Sequence, residues 1–350
     1  MSRQGGTLLV SLALIAVLVA AVPRAAPAEP LAPAASSDST AADRLARWRA
    51  ARSGRLALPL PGTPDTSQPL NRLAAAGLSY GAPMLIRIFK AESALEVWAK
   101  KRNTYALFAT YPVCYWSGLL GPKLREGDRQ TPEGFYTITE QELHHGDRWR
   151  RSLNIGYPNV FDRVNKRSGS NILVHGGCDS VGCFAMTDAV NAELYDLVSA
   201  SLRAGNASVP LHVFPFRMSD ANLAAYAASQ WKEFWGDLKA GYDSFERTRM
   251  PPNISVCGLK YRVRDNSPFE RSADRIELCE QDRNTIPGHL EPAHPRSQQA
   301  DLRIDPPSPP PHRCSTRRAS CRKWVALRDR RITNRTLATH TAAGKRSRVR

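Results

Sequence analysis

Long apolar runs are nearly missing from this chain of 350 residues. The exception is Leu8–Val22, fifteen uncharged residues that would make a helix of about 22 Å, shorter than the roughly 30 Å of a bilayer core. Arg3 precedes the run, and small residues with an Ala26-Pro27-Ala28 site follow it, so residues 1–28 read as an export signal, with an uncleaved anchor as the alternative. No cysteine occurs before Cys114, which excludes a lipid-modified cysteine behind that signal. No internal repeat is present, which excludes a repeat-type wall-binding module. Acidic residues are scarce in one region: residues 301–350 carry 14 Lys+Arg against three Asp, a net of +11, so residues 1–300 hold only +6 of the total +17. The basic excess is thus a property of the tail and not of a folded face, which argues against nucleic acid as a partner.

The hydrophobic fraction of 42% is that of a globular chain, long enough for one large domain or two modest ones. EPLAPAASSDSTAA reads as a linker, and a short basic helix is expected at Asp43–Arg52, so residues 29–79 form a linker and helical segment. From Met84 the pattern turns to strands: MLIRIF, ALEVWA, a turn at Lys100–Asn103, TYALFATY, later FYTIT, NILVHG and VPLHVFPF. Thr187 or Asp188 can cap a helix running through Ser201 toward Gly205. Ser219 should open a second helix with its apolar stripe through Leu223, Tyr226, Trp231, Trp235 and Leu238. The expected divisions are a main domain at 80–217, an extension packed on it at 218–264, and a Pro- and Arg-rich disordered tail at 265–350.

Seven cysteines suit an exported chain with bridges, and the odd number leaves at least one thiol without an intramolecular partner. His175, Cys178 and Cys183 crowd into the stretch NILVHGGCDSVGCFAMTD, and three readings compete for them. A structural zinc site wants four ligands in two close pairs, and no second pair is in view, so no metal is expected. Cys178 can bridge to Cys183 across four residues, or to a distant cysteine such as Cys114, which leaves Cys183 free. The third reading is a thiol activated by an imidazole. His175 ends a buried strand and is followed by Gly176 and Gly177, which let a substrate approach the backbone. Cys183 follows Gly182 and is expected just before a helix, where N–H groups favour a thiolate and an oxyanion.

The string HGGCDSVGCFAMTD resembles the active-site motif of L,D-transpeptidases with the YkuD-type catalytic domain, in its YafK-like branch: His175-Gly176 and then Ser180-Val181-Gly182-Cys183. IRIFKAESALEVW, TYPVCYWSGLLGPK, EGDRQTPEGFY, NIGYPNVFDR, FPFRM and FWGDLKAGYDSFE extend the resemblance over about residues 80–250. Where many family members have His, this chain has Val181. The resemblance implies an α+β fold, a mixed β-sandwich or barrel catalytic domain with flanking helices. It implies Cys183 as nucleophile and His175 as general base and acid, with a backbone carbonyl near Gly176-Gly177 orienting the imidazole. Gly182, Ser180, Gly176 and Gly177 would shape the loop and the oxyanion site, and Thr131, Glu133 and Tyr157 are candidates for the substrate cleft.

No cofactor is implied. The expected substrate is a peptidoglycan stem peptide, whose acyl group passes from an L-centre of a diamino acid to an amine acceptor in the periplasm or cell envelope. Hydrolysis of the same bond, including release of a wall-linked lipoprotein, is the alternative reaction. A non-enzymatic envelope protein whose basic tail holds anionic polymers is the alternative of another class.

Overall fold

The computed structural model describes residues 37–144, 151–267 and 276–283, all in the unit Met1–Leu290. The export segment and residues 284–350 lie outside them. In chain order the elements are helices α1 (Ser37–Arg52) and α2 (Pro69–Ala75), then strands β1 (Met84–Phe89), β2 (Ala94–Lys101), β3 (Thr104–Pro112), β4 (Tyr115–Trp116), β5 (Gly134–Ile138), β6 (Leu143–His144) and β7 (Ser152–Asn154). Helix α3 (Val160–Val164), strands β8 (Leu173–His175) and β9 (Phe184–Ala185), helix α4 (Asp188–Arg203) and strand β10 (Val209–Phe214) follow. Helices α5 (Asp220–Ala225) and α6 (Lys232–Thr248), strands β11 (Asn253–Cys257), β12 (Lys260–Arg264) and β13 (Glu277–Leu278), and helix α7 (Glu280–Arg283) complete the described fold.

The result is an α+β architecture of three sheets. The largest has the order β3-β2-β1-β10-β5, with β1 and β10 parallel and the other neighbours antiparallel. All six residues of β1 are buried because both faces of the sheet are covered. Alternation divides the strand: Met84, Ile86 and Ile88 join a core with Val190, Leu194 and Val198 of α4, whereas Leu85 meets Phe245 and Phe89 shares a cluster with Trp235 and Leu238 of α6. The second sheet, β4-β9-β8-β7-β6, packs Trp116, Leu153, Val174 and Phe184 into the α4-side core. It carries the site.

Three sequence expectations are corrected. The single helix from Ser219 is two: Ser219 caps α5, and the chain turns before α6 begins. Tyr226 stacks on Phe216 at 4.8 Å while Trp231 lies against Gly121, and the turn lets the two rings seat on different surfaces. The tail does not start at 265, because β13 pairs with β11 and Cys279 is bridged to Cys257. The helix expected at Asp43–Arg52 begins earlier, at Ser37, and it does not dangle as a linker: Trp48 and Arg44 both contact the main domain.

Candidate active site

The connection from β8 to β9 is short and returns to the same sheet. The two strands run parallel, with Val174 opposite Phe184 and His175 opposite Ala185. Cys183 lies one residue before β9, where its Sγ receives the Leu173 N–H at 3.3 Å. Residues opposite one another in a ladder share a face, so Cys183 beside Leu173 and His175 beside Ala185 sit diagonally on one side of the sheet.

The loop between them is fixed at several points. Met186 N–H donates to the His175 carbonyl at 2.7 Å and Cys178 N–H to the Met186 carbonyl at 3.1 Å. Cys178 is bridged to Cys114, with Cα atoms 5.2 Å apart, and Cys183 is the free cysteine among the described residues. A Cβ at Gly176 would press on the Asp188 side chain and lie 3.3 Å from its Cα, so glycine lets the loop close against the start of α4 without moving Asp188. Gly182 has φ +104°, a left-handed conformation that L side chains rarely adopt.

His175 is 2% exposed, and its Nδ1 lies 2.6 Å from the Gly176 carbonyl oxygen. A carbonyl can only accept, so the hydrogen belongs on Nδ1 and the lone pair on Nε2. Burial pushes the imidazole below its ordinary value, opposed by the Gly176 carbonyl and by the charges of Asp179 and Asp188. Burial pushes the Cys183 thiol up, opposed by the Leu173 amide, the Ser180 hydroxyl and the Lys123 charge. Both groups thus rest in their neutral forms. Sγ accepts the Leu173 N–H and lies 3.6 Å from the Asn171 carbonyl oxygen.

The sequence placed Cys183 just before a helix, and this is corrected. Strand β9 intervenes, α4 starts only at Asp188, and no helix terminus lowers the thiol. The amides expected to hold an oxyanion already have acceptors: Gly182 N–H donates to Ser117 Oγ at 2.6 Å and Cys183 N–H to Ser180 Oγ at 2.8 Å. Gly177 lies in the loop with its own positive φ.

The cleft candidates separate. Thr131 is fully buried beneath the cysteine, with Oγ1 3.5 Å from the Cys183 carbonyl and accepting Ser117 N–H at 3.1 Å. Glu133 is not a cleft group: it is fully buried, with Oε1 2.9 Å from Lys90 Nζ and Oε2 accepting the Trp235 indole N–H at 2.8 Å. Tyr157 is also buried, its hydroxyl lying 3.3 and 3.1 Å from the Lys123 and Ser168 carbonyl oxygens, which share its one hydrogen and tie two loops together.

Comparison with known proteins gives the chain a family. The YkuD L,D-transpeptidase catalytic-domain model matches residues 83–210, which include both candidates. YafK of Escherichia coli strain K12, provisionally named an L,D-transpeptidase, is 40% identical over 204 residues, covering 58% of this chain and 82% of its own. The chain belongs to the L,D-transpeptidase family. Its counterpart in Escherichia coli O157:H7 aligns equally well. Among solved structures, the helical cell shape determining protein Pgp2 of Campylobacter jejuni aligns at 16% identity and TM-score 0.29, covering 54% of this chain and 80% of that one. Bd1075 of Bdellovibrio bacteriovorus aligns at 20% identity and TM-score 0.28, covering 47% and 62%.

Sequence reading of this family member missed Ser117, which sits 65 residues before its partner Gly182 with no local pattern to mark it. It also missed Lys90. That lysine ends an apolar strand and its Nζ gathers the Leu119, Gly121 and Thr131 carbonyls as well as Glu133. A lysine after an apolar run reads as a surface residue, and only the fold reveals the acceptors. No group of three or more His, Cys, Asp or Glu that could hold a metal occurs among the described residues.

Proposed function

We propose that this L,D-transpeptidase family member acylates Cys183 with a peptidoglycan stem peptide, using His175 as the proton carrier. The observation that carries the reading is the β8–β9 register, which sets a free thiol and a Nδ1-protonated imidazole on one face of the sheet. Nε2 takes the thiol proton as sulfur attacks the carbonyl carbon at the L-centre of the diamino acid. The carbonyl electrons move onto oxygen, and the Gly182 and Cys183 amides turn from the Ser117 and Ser180 hydroxyls to that oxyanion, a contribution of about 3 kcal/mol per donor. As the C–N bond breaks, His175 returns the proton to the leaving amine. The thioester then transfers its acyl group to an acceptor amine, whose proton passes through His175 back to sulfur. The acceptor is a second stem peptide or another envelope amine.

An enzyme acting on peptidoglycan needs export, and the two bridges Cys114–Cys178 and Cys257–Cys279 suit an oxidising compartment. Mass spectrometry of muropeptides incubated with the wild type and with Cys183→Ser tests the reading. New cross-links made only by the wild type support transfer. Shortened stems or a released peptide assign water as the acceptor, and identical products from both proteins overturn the dyad.

A further inference from the structure

Helix α1 touches both chain segments that shape the surroundings of Cys183. On one side, the Trp48 indole N–H donates to Asp179 Oδ1 at 2.6 Å and Arg52 pairs with Oδ2 at 3.2 Å. Asp179 is in the loop between His175 and Cys183, next to the bridged Cys178. On the other side, Arg47 Nε donates to the Cys114 carbonyl at 3.2 Å, Arg44 donates to the Gly118 carbonyl at 3.3 Å, and the Arg44 guanidinium lies 3.5 Å over the Trp116 ring. Trp48 also packs against Tyr115, with centroids 5.8 Å apart. The segment 114–118 ends on Ser117 and Gly118, and Ser117 is the acceptor for Gly182 N–H. One helix therefore grips the 176–182 loop and the segment 114–118 that supplies its hydroxyl.

We propose that Trp48 and Asp179 are positioning residues for the reaction, their hydrogen bond fixing the loop that sets Cys183 against its amide donors. The proposal rests on the reading of Cys183 as nucleophile. Asp179 is 43% exposed at its side chain and makes its ion pair with an exposed arginine. An exposed ion pair contributes little to stability, so the bond to the indole matters for where the loop sits rather than for whether the domain folds. Displacements of about 1 Å at a reacting group can cost on the order of a hundredfold in rate. The Cys114–Cys178 bridge and the Cys178 N–H bond to the Met186 carbonyl hold the loop at Cys178, and neither acts on the Asp179 side chain. The Trp48–Asp179 bond is a second anchor, one residue further along.

The test uses the full chain with Trp48→Phe, Asp179→Ala, which removes the acceptor, their double variant and Cys183→Ser. Each is assayed on a disaccharide-tetrapeptide muropeptide with kcat and KM separated, alongside thermal unfolding. Trp48→Phe keeps the ring and removes the N–H donor. The expected result is a fall in kcat of about tenfold for each single variant, with KM within about twofold and Tm nearly unchanged. The double variant should lose no more than either single one, because both changes break the same bond. Unchanged kcat in the single variants, or losses that multiply in the double variant, overturns the proposal, as does a kcat loss matched by a loss of folded protein. Turnover by Cys183→Ser would overturn the dyad reading itself, so the two failures are distinct.

Discussion

The Leu173 amide donates to Cys183 Sγ at 3.3 Å, from the strand that carries His175 two residues later. The sulfur is thus held by the backbone of the strand bearing its proposed base, while its other hydrogen bond runs to the Asn171 carbonyl. This resting geometry differs from a preformed thiolate–imidazolium pair, and it makes the pH behaviour predictable.

Burial pushes the Cys183 thiol up and the His175 imidazole down, so the neutral pair should persist from below about pH 6.5 to above about pH 9. Alkylation of Cys183 by iodoacetamide should therefore climb through the alkaline range, with no plateau between pH 5 and 7. Turnover should be lost on the acid side at a pH below about 6.5, where His175 takes a proton and ceases to be a base. The same depressed value makes the neutral histidine a stabilising feature whose contribution is present above that pH and lost as pH falls. A thiolate plateau at neutral pH, read by mass mapping of the alkylated cysteine, would contradict this.

Ser117→Ala separates ground-state support from catalysis. Without Ser117 Oγ, the buried Gly182 N–H loses its acceptor in the free enzyme, a cost of about 1–3 kcal/mol. In the tetrahedral intermediate the same N–H faces the oxyanion, so the acylation rate should hold while urea unfolding shows the loss. A drop of more than about tenfold in acylation would instead place the hydroxyl itself on the oxyanion.

The Lys90–Glu133 pair is fully buried, and each partner satisfies the other. Lys90→Met or Glu133→Ala alone should cost about 3–5 kcal/mol in denaturant unfolding, because each leaves a buried charge unpaired. Lys90→Met combined with Glu133→Leu should lose less than the sum of the two, the remaining loss coming from the Leu119, Gly121 and Thr131 carbonyls and the Trp235 indole left without partners. If the double variant is as unstable as the sum of the two, the pair is not the coupled unit described here.

Replacing both Cys114 and Cys178 by alanine opens a bridge spanning 64 residues, a change of about 4 kcal/mol by loop entropy. The double variant should unfold at lower denaturant and keep Cys183 as its alkylated thiol in the folded region. Retention of wild-type stability would show that the bridge adds no constraint.

Much of the sheet was legible because apolar runs such as MLIRIF and VPLHVF belong to strands covered on both faces, which need no alternation. The HGG and SVGC strings were legible because glycine next to chemistry-bearing residues marks a backbone under close approach, and Gly176 against Asp188 is such a place. Two-residue strands were not legible. β4 and β9 have no periodicity of their own and exist only through their sheet partners, β4 through β9 and β9 through β4 and β8, so Cys183 read as pre-helical when it precedes β9. Glu133 misled for a different reason: a carboxylate in a turn sequence looks exposed, and only the arrival of Lys90 and Trp235 from distant segments makes its burial tolerable.

Parallel neighbours ordinarily need a crossover of a dozen or more residues, yet β8 and β9 are joined through residues 176–183 because both strands are so short. The path has no slack: it must climb back the length of one strand while meeting a bridge at Cys178 and a hydrogen bond at Met186. Side chains such as the exposed Val181 can vary along it, whereas a single inserted or deleted residue would slip the ladder and turn either sulfur or imidazole to the opposite face. Length, more than composition, is the quantity this stretch of chain conserves in its own mechanics.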